Sequence, residues 1–289
     1  MKNRWQPFLF CLMLLPLMPA GSLRSMIAEG QQEPARSETA PDPAQTFFRV
    51  GETITVQITW RPPVWLFFIP PISAGTITLE VKEFSEFQGA RVMRITGDAR
   101  SSGTFNSLAG LNIQNHYESL VDLKTVCSRQ FKLMQREGKR MQDVQIDFDP
   151  EARKLQVIEW QVTKDTRVES RNETIATNES CILDLISIFY AVRTLPLQPG
   201  AQHSMVLSND HARVQPIQVK VSGEETARTD AGVFQVHRIN TSGLFGGLFR
   251  SGGEFKIWLD KSTRIPVKFE AKVKLGKVTG SLQRYKPGN

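Results

Sequence analysis

The chain reads as an all-β protein with one buried helix: a curved antiparallel sheet, or half-open barrel, wrapped around that helix. Three observations lead there. Apolar and polar residues alternate with period two in many separate segments from Val50 onward. Turn residues punctuate those segments at short intervals. A single stretch after Cys181 is apolar on nearly every face. Strands with one apolar and one polar face belong to sheets covered on one side only. A helix apolar all round must be buried.

Each element follows in order. Ile54, Val56, Ile58 and Trp60 share a face opposite Thr53, Thr55, Gln57 and Thr59. Ile77, Leu79 and Val81 alternate with Thr78, Glu80 and Lys82. Val144, Ile146 and Phe148 alternate with Gln145 and Asp147. Ile217, Val219 and Val221 alternate with Gln218 and Lys220. Val267, Phe269, Ala271, Val273 and Leu275 alternate with Lys268, Glu270, Lys272 and Lys274. Glu137-Gly138-Lys139, Asp149-Pro150 and Leu275-Gly276-Lys277 mark turns. About a dozen strands result, spaced as in a barrel or sandwich. The helix is expected near 181–194, with Ser180 at its start, Arg193 near its end and Pro196 beyond it. One β-rich domain over 46–289 is the simplest division, and two β subdomains joined around 165–200 are the alternative.

Composition excludes several classes. The 289 residues carry 40% hydrophobic side chains, enough for a core, and 22% charged ones. Three Cys and four His leave little for a metal cluster, and no metal or cofactor is expected. Lys2 and Arg4 precede an apolar run from Phe8 to Met18, and small residues follow at Ala20, Gly21, Ser22 and Ala28. This is the layout of a secretory signal, 1–28, with cleavage after 20 or 28. An uncleaved anchor is the alternative, although a permanent span needs about 20 apolar residues. Cys11 lies inside the run, so a lipoprotein is not expected. Residues 29–45 read as a flexible leader. The net charge of +7 falls to +5 when Lys2 and Arg4 leave and to +4 when Arg24 goes too. That balance, with acidic residues interspersed, argues against nucleic acid. The expected location is the periplasm. Two cysteines then remain, Cys127 and Cys181, in an oxidising compartment. They form either a disulfide tying helix to sheet or two buried thiols.

Further landmarks recur in order: Gly51-Glu52 with Trp60, Ala74-Gly75, Glu118-Ser119 with Asp122, Arg136-Glu137-Gly138 and Phe148-Asp149. Asp184, Ser187, Tyr190 and Arg193 follow, then Leu195-Pro196-Leu197 with Pro199-Gly200, Ala231-Gly232-Val233-Phe234, Ile257-Trp258-Leu259 and Arg264-Ile265-Pro266-Val267. Over residues 47–285 the chain resembles the bacterial exported family called domain of unknown function 3108. The resemblance implies an exported, mostly β protein and brings no catalytic residue. The chain departs from the family pattern in its longer apolar loop at 61–73 and in its Cys127/Cys181 pair. The architecture is similar to that of periplasmic lipoprotein carriers, which is an analogy of fold alone.

No GxSxG, HExxH, P-loop or GxGxxG motif occurs. His116, His203, His211 and His237, and the pair Asp147 and Asp149, read as ordinary strand and turn residues. Enzymatic activity is left open, and the sequence points away from it. Ser187, Tyr190 and Arg193 form a polar stripe on the helix, either bonded to the sheet or flooring a ligand cavity. Two apolar loops are the strongest functional signal. In the first, Pro62, Pro63, Pro70 and Pro71 bracket Trp65, Phe67 and Phe68. The second carries Phe245 and Phe249 among glycines. Proline rules out ladder pairing there, and an apolar loop must be buried, bind a ligand or touch a membrane. With Trp60 these are the candidate contact residues. The expected partner is an apolar, lipid-like small molecule held by a carrier; the alternative is an envelope protein engaged by the 61–72 loop of an assembly factor. Contact with a membrane surface and an enzyme with a non-standard site complete the expectations.

Overall fold

The computed structural model describes residues 47–66, 68–110, 112–244, 253–273 and 276–289. They lie within one compact unit, Pro41–Asn289. The expected signal and leader, together with Phe67, Phe245 and Phe249, lie outside the described residues.

The strands are β1 (Thr53–Arg61), β2 (Ile72–Phe87), β3 (Ala90–Ser101), β4 (Gln114–Asp122), β5 (Ser128–Glu137), β6 (Arg140–Asp149) and β7 (Lys154–Val162). They continue as β8 (Arg167–Ala176), β9 (Gln202–Ser208), β10 (Val214–Thr229), β11 (Gly232–Leu244), β12 (Gly253–Asp260), β13 (Pro266–Lys272) and β14 (Lys277–Lys286). All belong to one curved 14-stranded sheet in the order 8-7-6-5-4-3-2-1-14-13-12-11-10-9. Every neighbouring pair is antiparallel. The topology is therefore two meanders joined where β1 pairs β14, with β8 and β9 at the ends. Among the described residues two short α-helices accompany it, α1 (Gly103–Ala109) and α2 (Ser187–Thr194).

The alternation seen in the sequence maps onto the two faces. Leu79, Val81, Val144, Ile146, Ile217, Val219, Val221 and Ala271 are buried in one large cluster with Ile182, Leu183, Ile186, Ile188, Tyr190, Ala191, Val192 and Leu197 from around α2. That cluster draws side chains from both halves of the sheet, so the sheet curls around the helix. A helix of eight residues is marginal alone. Burial holds it, at about 1.5–3 kcal/mol for each large apolar side chain. Gly97 on β3 makes room: a Cβ there would sit 3.1 Å from Leu79 and 3.2 Å from Ile186. A second cluster joins Ile54, Val56, Trp258, Val267 and Leu282 to Ala227 and Val236. There the end of the β10–β11 hairpin meets β14, and Ala231 N donates to Leu282 O at 3.1 Å.

The helix is shorter than the expected 181–194. Residues 181–186 are not helical, because Leu183 forms a parallel bridge with Leu207 of β9. Leu183 N donates to Val206 O and Ser208 N donates to Leu183 O, both at 2.8 Å. Ile182 O accepts from Ser128 N on the other side. An apolar run hides this distinction, since a buried extended segment and a buried helix look alike in pattern.

Candidate functional site

Strand direction divides the loops between two rims. Arg61 pairs with Lys277, Trp60 with Ile72, Gly75 with Ser101 and Lys272 with Lys277. These strand ends therefore share a rim, from which the 62–71 loop and α1 project. The segment 177–201 leaves β8 and enters β9 at the opposite rim.

This strap is anchored by three devices. Cys127 and Cys181 are joined in a disulfide. The second device centres on Asp184, which is 1% exposed. Its Oδ2 accepts from Ser119 Oγ at 2.5 Å and Ser128 Oγ at 2.7 Å. Its Oδ1 accepts from Ile186 N at 2.7 Å and Ser187 N at 2.8 Å. The carboxylate thus holds the turn that leads into α2 and satisfies its first N–H, that of Ser187, which a helix start leaves free. Asp184 N in turn donates to Ser187 Oγ at 2.7 Å and Ser128 Oγ at 2.9 Å. Burial raises the Asp184 pKa, against the pull of Ser119, Ser187 and Ser128.

The third device is an ion pair. Arg193 donates through Nη1 to Glu52 Oε1 at 2.6 Å and through Nη2 to Glu52 Oε2 at 2.8 Å. Its guanidinium lies 4.8 Å from the Phe48 ring centre and 5.4 Å from that of Tyr190. Arg264 donates from Nη1 to the carbonyls of Arg193 and Leu195, covering the open end of α2. Burial and the Glu52 charge push the Tyr190 phenol upward.

The stripe expected of Ser187, Tyr190 and Arg193 therefore resolves into separate environments. Ser187 belongs to the Asp184 knot. Tyr190 and Arg193 belong to the Glu52 pair. All three are buried against protein groups. Sequence reasoning assigned no role to Glu52, Ser119, Ser128 or Asp184. One signal was present: an Arg in the last turn of a buried apolar helix demands a counter-charge.

The apolar loop has a different setting. Trp60 is half-buried, its ring 6.5 Å from that of Phe105 on α1. Beyond it, Val64 is 90% exposed and Trp65 and Phe68 are 68% exposed each. Residues Val64–Leu66 form one 3-10 turn. The loop base is ordered by its neighbours. Ser102 Oγ donates to Ser73 O at 2.5 Å, and Ser102 N to Ala74 O at 2.9 Å. Gly276, at φ +92°, lies so close that a Cβ would collide with the Arg61 carbonyl.

The remaining candidates have local roles. Asp147 accepts from Gln130 at 2.6 Å, Asp149 Oδ1 accepts from Ala152 N at 2.8 Å, and His203 meets Pro196 O at 2.9 Å. Among the described residues, no group of three or more His, Cys, Asp or Glu side chains is placed to hold a metal ion.

Solved structures resemble this one at low identity. A β-barrel-like protein of domain of unknown function DUF1849 from Brucella abortus is 10% identical, with a TM-score of 0.56, covering 84% of this chain and 100% of its own. That likeness concerns the fold alone. A protein described as exported, of YmcC-like fold, from Bacteroides fragilis is 11% identical, with a TM-score of 0.36, covering 83% of this chain and 98% of its own. One described as a lipoprotein, from Parabacteroides distasonis, is 10% identical, with a TM-score of 0.34 and the same coverage of 83% and 98%. The TM-scores of the last two are too low for them to bear on the argument. No curated protein matches the chain. The family model for a protein of unknown function, DUF3108, covers residues 55–283, and the chain belongs to that family.

Proposed function

We propose that this is an exported, non-enzymatic protein of the cell envelope, located in the periplasm, that docks on an envelope partner through its 61–72 loop. The observation that carries the reading is the exposure of Trp65 and Phe68, 68% each, on a loop whose base is tied to α1 and to the β13–β14 turn. Large apolar side chains gathered on one exposed loop mark an interaction site. Aromatic anchors of this type dominate binding energy where they are buried by a partner.

A carrier of an apolar molecule draws less support. Ile186, Ile188 and Val192, which would line an interior cavity, are packed into the core. The Asp184 knot does not resemble a working nucleophile site. Its hydroxyls donate to a carboxylate that is itself fully hydrogen-bonded, and none of its atoms reaches solvent in quantity.

The test is fractionation. The wild-type protein and a Trp65→Ser/Phe68→Ser variant are exported and the envelope membranes sedimented. The wild type is expected with the membranes and the variant in the soluble periplasmic fraction, with melting curves that coincide. Equal sedimentation of both proteins would sink the docking reading.

A further inference from the structure

The rim that carries the apolar loop also carries a row of cations. Arg61 of β1 lies directly opposite Lys277 of β14, and Lys277 directly opposite Lys272 of β13. Directly opposed residues point to the same face. That face is the outer one, because Ala271, next to Lys272, is buried in the core. Like charges directly opposite each other destabilise a sheet. Here three cations stand in register on three adjacent strands. Glu270 pairs with Lys277 and offsets only part of this charge. Lys256 of β12 stands opposite Glu270 at the border of this row. Lys256, Glu270, Ala271, Lys272 and Lys277 line a pocket of about 80 Å³. Gly276 packs the turn between β13 and β14 against Arg61, Pro62 and Pro63, so pocket and apolar loop are neighbours.

We propose that this rim binds the surface of an anionic phospholipid membrane. Lipid phosphate groups face Arg61, Lys272 and Lys277, while Trp65 and Phe68 enter the interfacial layer. The proposal rests on the docking reading and names its partner. Indole and phenyl rings settle at the headgroup level of a bilayer. Cations held beside them add attraction to anionic lipid that decays within a Debye length. Neither component suffices for strong binding alone, and here the fold places both on one rim.

The test is flotation of the purified protein with protein-free vesicles. One set is phosphatidylcholine alone; the other contains about 30% phosphatidylglycerol, enough to give a negative surface potential. The wild type is expected to float with the anionic vesicles only, and to be released when NaCl rises from about 0.1 to about 0.5 M. Arg61→Gln/Lys272→Gln should weaken partitioning about 25-fold, or about fivefold for each cation removed. Trp65→Ser/Phe68→Ser should abolish flotation. Both variants alter exposed or half-exposed side chains, and unchanged melting curves would show that they fold. Equal flotation with both vesicle types, or a cation variant that binds like the wild type, would overturn the proposal. A wild type that sediments with envelope membranes yet floats with neither vesicle also overturns it while leaving the docking reading standing. Failure in both assays removes both.

Discussion

Arg193 and Glu52, separated by 141 positions in the chain, meet in a bidentate buried ion pair at 2.6 and 2.8 Å. The pair fastens the end of α2 to the residue that precedes β1. It thereby ties the strap to the seam where the two meanders join. Removing one partner leaves the other charge uncompensated, which costs about 3–5 kcal/mol. Arg193→Met should lower the free energy of unfolding by that amount, read as a lower urea midpoint at unchanged slope. The double variant Glu52→Leu/Arg193→Met should recover part of it, because two apolar groups leave no orphan charge. Single and double variants of equal stability would refute this account of the pair.

Two of the buried aspartates, Asp184 and Asp122, should respond to pH with opposite signs. Burial holds the Asp184 carboxyl above its ordinary value of 3.8. The folded state then binds the proton more tightly than the unfolded state. That stabilisation is complete below the unfolded value and is lost as pH rises through the folded one. For Asp122 burial also pushes upward, but hydrogen bonds from Arg129, Thr125 N and Lys124 N outweigh it and the pKa is lowered. Its contribution is present above the unfolded value and is lost as pH falls through the folded one. Urea unfolding from about pH 3 to about pH 8 should show this. Asp122→Asn flattens the acid limb, and Asp184→Asn removes a decline on the rising side. Identical profiles for the two variants would contradict the assignment.

The disulfide closes a loop of 54 residues between Cys127 and Cys181. Chain entropy gives about 4 kcal/mol for a loop of that length. Reduction, or Cys127→Ala/Cys181→Ala, should lower stability by up to that figure. It should also increase hydrogen exchange first in residues 177–186. A uniform increase across the sheet would show that the bond does not act through the strap.

Gly276 combines a positive φ of +92° with backbone contact to Arg61. Gly276→Ala should therefore destabilise the protein and disturb the 61–72 loop, visible as altered Trp65 fluorescence. Gly89→Ala serves as the control, since its Cβ would meet nothing within 4 Å at a φ of +75°. Both carry the left-handed strain, so the difference between them reports the steric contact. Equal losses would assign the effect to backbone conformation alone.

Much of the fold was legible because period-two alternation is a local property. Ile77, Leu79 and Val81 declare their face without reference to any partner strand, and all point toward the core or pack against it. The helix start was not legible. Ile182 and Leu183 belong to the same apolar run as Ile186 and Ile188, yet they are extended, Leu183 bridging β9 and Ile182 O accepting from Ser128 N. The deciding features, the free edge of β9 and the Asp184 turn, lie outside the pattern. Arg193 showed that a counter-charge was required, but nothing in its neighbourhood identified Glu52.

The amino-acid sequence alone carries the class of fold, the presence of one buried helix and the apolar character of the 61–72 loop. These follow from side-chain type and spacing along the chain. Tertiary structure decided whether that loop would plug the interior or face solvent. The interior was already occupied by Ile186, Ile188 and Val192, and Trp65 and Phe68 remain outside. It also decided that Arg61, Lys272 and Lys277 stand side by side. Strand register sets that alignment, and register is a relation between distant segments that no single segment contains.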